Sequence, residues 1–350
     1  MTVTVRLSHP VDYLAIVPYL LGYHPTLSLV ILSFHDQALV NAVRHDLPYG
    51  PHETHDVIAT SLNILSRHQA DEIAVIGYGP PDQTASLLNS LQEALSPTGV
   101  QIRQLLSCTQ ERYWSHLDMG PEDSTPYDLT TSTAAAGAVM AGLSALPDRA
   151  AFGATLAPMD GPDREAVQQA TRTARERAAA LLPTATPRYW YDEGLRQVHE
   201  AFARSVADQP ITPEQVAWLG VLLTSKVIRD AAMTLLGSYA EPAHIKLWGE
   251  ITRRAEPGYV AAPATLLAFA AYSSGAGTLA RVALDRALSD DPRYSMATLL
   301  ECGLNHAAPP SLIHKMNIAD MGEEIEAQIE RYPQSVLPLL PEPIEDGERR

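Results

Sequence analysis

The hydrophobic pattern of this chain changes period once, and that change limits the folds open to it. As far as about residue 145, runs of strand length alternate with runs of helix length; from Pro162 onward the strand pattern is gone. Residues 27–34 and Glu72–Tyr78 are almost continuous apolar runs, the pattern of strands covered on both faces. Residues 37–46 follow the first run across a tight His35-Asp36 turn and read as its hairpin partner. Residues 2–7, 100–108 and 112–117 are further strand candidates, while 11–21, Pro51–Arg67, 82–95 and 131–143 carry helical spacing. Gly120 to Pro126 reads as a loop. Strands alternating with helices predict a layered α/β domain, and the hairpin makes its sheet mixed rather than purely parallel.

Past Pro162 the windows 164–182, 192–207, 213–225, 227–236 and 242–255 each read as helices, so an all-α region follows. Thr212-Pro213-Glu214-Gln215 has the chemistry of a capping box, with Pro at the first helical position. Pro183 to Pro187 is the best linker in this half. The expected organisation is an α/β domain over 1–150, a helical domain of repeat-like helix pairs over 160–335, and an acidic disordered tail over 336–350. The helical half also says nearly the same thing twice. Trp248-Gly-Glu-Ile-Thr-Arg-Arg-Ala-Glu-Pro257-Gly-Tyr259 is echoed by Ala283-Leu-Asp-Arg-Ala-Leu-Ser-Asp-Asp-Pro292-Arg-Tyr294. The offset is close to the roughly 34 residues of a tetratricopeptide helix pair, which this region resembles. Ala268, Ala280 and Ala287 fall on small positions of that pattern, whereas Ile245 departs from it. Such units stack to bury their apolar faces, and the stacked surface commonly binds protein. A protein partner is therefore expected through the helical region, on a groove exposing Trp248, Tyr259 or Tyr294. The plainer alternative is that the pair only packs the core.

Composition narrows the partners. The chain has 350 residues, 46% of them apolar, enough for a real core, and a net charge of −16. Only Lys226, Lys246 and Lys315 are lysines, and the first 150 residues hold six Arg against fifteen Asp or Glu. Such a surface repels phosphate backbones, so nucleic acid is not an expected partner. The two cysteines, Cys108 and Cys302, have no CxxC context, which argues against a disulfide framework and a thiolate zinc site. No signal peptide and no membrane-length apolar run is visible, so a cytoplasmic protein with no membrane association is expected. The signatures of dinucleotide, P-loop, hydrolase-elbow and zinc-protease sites are absent, so no cofactor is implied.

Several blocks together carry a family resemblance: Val17-Pro-Tyr-Leu-Leu-Gly-Tyr-His-Pro25, Ser28-Leu-Val-Ile, Arg44-His-Asp-Leu-Pro48, Arg112-Tyr-Trp114, Thr125-Pro126 and Arg229-Asp230. Leu266-Leu-Ala-Phe-Ala and the segment from Ala280 to Tyr294 complete them. With these the chain resembles the actinobacterial family catalogued as domain of unknown function 4192, over nearly its whole length to about residue 312. The resemblance implies a shared fold and brings no activity with it. Many relatives carry a cysteine pair just before the Thr-Pro loop, where this chain has Met119-Gly-Pro-Glu-Asp-Ser-Thr-Pro; a thiol or metal role there does not transfer.

The candidate ligand-binding residues are Tyr23, His24, Ser28, Arg44, Asp46, Tyr78 and Arg112; none is assigned to catalysis or to a metal. Gly22-Tyr23-His24-Pro25 and Ser28 span a helix-to-strand turn, where His24 suits a base or donor and Ser28 a nucleophile or oxygen ligand. Ordinary turn chemistry accounts for them as well, with Gly22 ending the helix and Pro25 stopping it. Arg44 and Asp46 are two apart on a strand and share a face, where they bind a polar ligand or simply pair with each other. His52, Glu53, His55 and Asp56 resemble a metal cluster, yet acidic residues at a helix start need no metal. One condition decides whether the candidates form one site. Ser28 begins its strand and Tyr78 ends its own, so they meet only if the two strands are antiparallel; a parallel pair separates them by roughly 17–20 Å. The leading functional expectation is a non-catalytic interaction or adaptor protein with a small-ligand site in the α/β domain. The alternative is a hydrolase- or transferase-like enzyme with its site at the sheet edge around His24 and Arg44.

Overall fold

The computed structural model of the chain describes residues 5–117, 123–129, 132–310 and 318–341. It divides into two compact units, Met1–Thr155 with His306–Ala308, and Leu156–Asn305 with Pro309–Arg350. In the first unit, β1 (Ser28–His35), β2 (Ala38–Asp46), β3 (Glu72–Tyr78), β4 (Gln101–Cys108), β5 (Arg112–Ser115) and β6 (Thr125–Pro126) form one sheet of order β2-β1-β3-β4-β5-β6. Every neighbouring pair is antiparallel except β3 and β4, which are joined through helix α3 (Pro81–Leu95). The mixed sheet is the one expected from the hairpin. Asp36 and Gln37 both take positive φ, as the tight two-residue turn between β1 and β2 requires.

Both faces of the sheet are covered, which is why the middle of β1, from Leu29 to Leu32, is apolar without a break. Val30, Leu32, Ile76 and Leu106 pack against α1 (Pro10–Leu21) and α4 (Thr133–Met140). Leu29, Ile31, Val75 and Leu105 face Leu65 of α2 (Pro51–Arg67) and Leu88 and Leu91 of α3. The seven leading residues of β1 are buried. Burying one such Leu or Ile contributes about 1.5–3 kcal/mol, so the two interfaces dominate the stability of this unit. Two expectations differ. Residues 5–7 form no strand; Val5 instead lies on α4, its methyl 2.8 Å from where a Cβ on Gly137 would sit. Residues 2–4 lie outside the described residues, as do 120–122 of the expected loop. The remainder of that loop supplies β6, because Thr125 pairs with Tyr113.

The second unit is helical: α5 (Arg149–Ala154) closes the first, and α6 (Pro162–Leu181), α7 (Pro187–Val206), α8 (Pro213–Leu222), α9 (Lys226–Thr234) and α10 (Glu241–Arg254) follow. Then come α11 (Ala261–Ser273), α12 (Gly277–Asp290), α13 (Ser295–Asn305) and α14 (Ile318–Arg331). Among the described residues no strand follows Pro126. The capping box at Thr212 and Gln215 is present. Helix α7 begins five residues before the expected Asp192, because Thr186 caps it and Pro187 takes its first position. The echoed sequences become two helix pairs, α10 with α11 and α12 with α13, and the four helices pack on their successive neighbours. All of α11 is buried, and the Asp290 carboxylate accepts from the amides of Gly258, Val260 and Ala261 at its start.

The groove expected to expose Trp248, Tyr259 or Tyr294 is not built from those side chains. Trp248 is fully buried, edge-on to Phe202 at 5.7 Å between centroids. Tyr259 is buried with its hydroxyl accepting from Arg175, and Tyr294 is half-buried beside Arg229. The tail expected to be free from 336 is packed to Pro341: Val336 is fully buried and the Leu339 amide donates to Thr224 Oγ1 at 2.8 Å. The rest of it lies outside the described residues. Among those residues no helix is long and apolar enough to cross a membrane.

His244 ties this core to pH. It is buried against Phe202, and Trp248 Nε1 donates to its Nδ1 at 3.3 Å, a bond that requires the neutral ring. Burial pushes its proton affinity below the ordinary value of 6.5. The unfolded chain therefore takes up the proton first, so stability is intact above pH about 6.5 and falls as pH drops below it toward the folded value. The urea midpoint read by tryptophan fluorescence is expected to be lower at pH 5.5 than at pH 7.5. His244→Gln, which keeps an acceptor for Trp248, is expected to shrink that difference.

Candidate functional site

The turn between α1 and β1 is held open by a glycine and a ring. Gly22 ends α1 at φ 82°, and the Phe152 ring occupies the space a Cβ would need, 2.5 Å away. Tyr23 is buried against that same ring, with centroids 5.8 Å apart. The backbones of Gly22 and His24 bond to Leu146 on either side, which pins the turn to the chain leading into α5. Asp148 caps α5 by accepting from the Ala151 amide at 2.7 Å. Arg149 lies one helical turn before Phe152, so the ring that packs the turn also delivers Arg149 to the same side.

Register does the rest. Ser28 opposes Asp46 on β2 and Tyr78 on β3, and Val30 opposes Arg44, so Ser28, Arg44, Asp46 and Tyr78 share the face covered by α1. The Ser28 hydroxyl donates to the Thr26 carbonyl at 2.7 Å and accepts from Arg44 Nε at 2.8 Å. Arg44 Nη2 lies 2.5 Å from Asp46 Oδ1, and Arg149 Nη1 is 3.8 Å from Asp46 Oδ2. These groups border a cleft of about 280 Å³ lined by Tyr23, Arg44, Asp46 and Arg149, with Leu27 and Leu47 as apolar wall. The Arg44 side chain is only 15% exposed. A charge so placed costs several kcal/mol unless it is paired and hydrogen-bonded, and Ser28 with Asp46 supplies that pairing. Asp46 and Arg149 are far more exposed, so their 3.8 Å contact contributes at most a few tenths of a kcal/mol. With Asp46 counted, the cleft is still net positive on a chain of charge −16.

The strands 27–34 and 72–78 are antiparallel, as the single-site reading requires, yet the seven candidates do not all gather. Tyr23, Arg44 and Asp46 line the cleft, and Ser28 stands behind Arg44. His24 is exposed and outside the lining; its amide serves the turn through Leu146. Tyr78 opposes Ser28 but points its hydroxyl into the core, where burial raises the phenol well above its ordinary range. Arg112 sits at the far side of the sheet, donating to the Ser124 hydroxyl at 2.6 Å and so fastening β6. His45, between Arg44 and Asp46, faces α2, and burial lowers its proton affinity. His52 pairs with Asp56 at 3.0 Å and Glu53 accepts from the Tyr49 amide.

Three residues of interest were not singled out by the sequence. Arg149 follows no periodic run; its only local signal is the Asp148 cap before it. Ser107 Oγ lies 2.8 Å from His116 Nε2 on the opposite sheet face. The hairpin register explains the pair, since Ser107 opposes Trp114 and His116 is two residues further along the same face. Ser107 is 1% exposed, burial lowers the proton affinity of the His116 ring, and the two satisfy each other inside the fold.

Removing the Ser28 hydroxyl leaves Arg44 Nε buried without its acceptor, which costs about 1–3 kcal/mol. Ser28→Ala is therefore expected to lower the unfolding free energy from urea titration by that amount, whereas Thr26→Ala, whose side chain is exposed, leaves it within about 0.5 kcal/mol.

A family model described as domain of unknown function (DUF4192) matches residues 10–311. No curated protein and no solved structure matches the chain.

Proposed function

The chain belongs to the DUF4192 family, and we propose that it acts by binding rather than by catalysis, with a small ligand held in the Arg44 cleft of the α/β unit. The observation that carries this reading is the convergence of Tyr23, Arg44, Asp46 and Arg149 on one cleft. A concave site with a few converging polar groups is the usual form of a small-molecule site. The enzymatic alternative around His24 and Arg44 lacks its working parts. The Ser28 proton is already donated to the Thr26 carbonyl, and His24 stands apart from the cleft. Within this proposal the protein is a cytoplasmic interaction protein whose stacked, tetratricopeptide-like helix pairs engage a protein partner, and the ligand signals through the α/β unit.

Ligand binding stabilises the folded state by mass action, by about 2.7 kcal/mol at a hundredfold excess over Kd, and so raises the melting temperature. Thermal unfolding against a panel of organic acids, phosphate esters, amines and sugars is expected to give a dose-dependent rise of several degrees for one class. Thr26→Trp, which fills the cleft from its exposed edge, is expected to abolish that rise while leaving the unliganded melting temperature nearly unchanged. A panel in which no class stabilises the wild-type chain overturns the reading.

A further inference from the structure

We propose that the cleft takes the oxyanion of its ligand, a phosphate or carboxylate group, and that Asp46 is a tethered stand-in which that group displaces. The proposal rests on the binding reading above and names the chemistry of the same site. Arg44 is presented as an anion receptor is built. Its guanidinium is mostly buried, and Ser28 holds Nε so that the fork cannot rotate away. Of its five N–H donors, Ser28 takes the one on Nε, and Asp46 lies against Nη2 as an ion pair. A fixed planar fork suits the bidentate geometry of carboxylate and phosphate. Arg149 brings a second guanidinium to the same cleft, and these are two of only six arginines in the first 150 residues.

What lies between the two cations is itself an oxyanion. One Asp46 oxygen is 2.5 Å from Arg44 and the other 3.8 Å from Arg149. Asp46 is the last residue of β2, which lies at the edge of the sheet, and its side chain is 73% exposed. It can leave the two arginines by a side-chain rotation into solvent without opening the core. Arg44 cannot make a comparable move, because its stem is buried and Ser28 retains Nε. The arrangement thus has a fixed receptor and a movable carboxylate, the order expected when an incoming anion competes with an internal one.

The test is a calorimetric titration of the full chain with inorganic phosphate, and separately with succinate, at low chloride. Wild type is expected to bind at least one of them, and the stronger of the two assigns the oxyanion as phosphate or carboxylate. Asp46→Asn removes the competitor and is expected to tighten that binding about fivefold, the value of a partly exposed ion pair. Arg149→Ala, at a half-exposed position that does not endanger folding, is expected to weaken it several-fold, and Arg44→Met to abolish it. Binding that is unchanged or weaker in Asp46→Asn overturns the displacement idea. If neither anion binds while another class in the metabolite panel stabilises the chain in a manner blocked by Thr26→Trp, the oxyanion assignment fails and the binding reading stands. If no compound of any class binds, both fail.

Discussion

The site depends on one hydrogen bond, from Arg44 Nε to the hydroxyl of Ser28. Ser28 is the first residue of β1, a strand whose Leu29 to Leu32 and Phe34 are apolar side chains packed on both faces. A serine there is fully buried, so its hydroxyl needs partners within the protein. Thr26 accepts its proton and Arg44 uses its lone pair. The same contact makes a largely buried guanidinium tolerable and sets its orientation. Asp46, Tyr23 and Arg149 are then arranged around a cation that is already fixed.

That contact follows from topology. Because β1 lies antiparallel to both neighbours, the start of β1 meets the end of β2 and the end of β3 in one row. The row is divided by depth rather than by face. Toward the open edge, Asp46 and Arg44 reach the cleft; toward the middle, Tyr78 and Cys108 are enclosed by the α1 layer, and burial raises the affinity of both groups for their protons. One row of a single sheet therefore supplies an accessible polar end and a closed apolar one.

The sheet was legible in the sequence because burial on both faces leaves a direct trace: the apolar runs at β1 and β3 and the tight turn into β2 are set by local chemistry. The antiparallel pairing of β1 with β3 had to be reasoned from what a single site would require, since no local signal states it. The partition of the candidates was less legible. Tyr78 and Arg44 look equally available in sequence, and only the α1 layer over the sheet decides that the phenol is enclosed while the guanidinium reaches the cleft. His24 and Arg112 are polar residues at element ends, where capping and loop-fastening use the same residue types as binding. Arg149 was invisible because it reaches the cleft through Phe152 packing on Gly22, a long-range contact. In the helical unit the succession of helices was readable, but the exposure of the aromatics was not: Trp248 and Tyr259 are placed by packing against α7 and α6, far away in sequence.

The most direct test of a fixed Arg44 receptor is the side-chain Nε–Hε resonance of that arginine, assigned by its loss in Arg44→Lys and followed by nuclear magnetic resonance as inorganic phosphate or succinate is added. The account predicts a protected, slowly exchanging signal in the free protein, as a hydrogen bond to Ser28 demands, and a saturable shift on addition of the anion that binds. A signal that exchanges as fast as those of exposed arginines, or that does not move while they shift together, would contradict it.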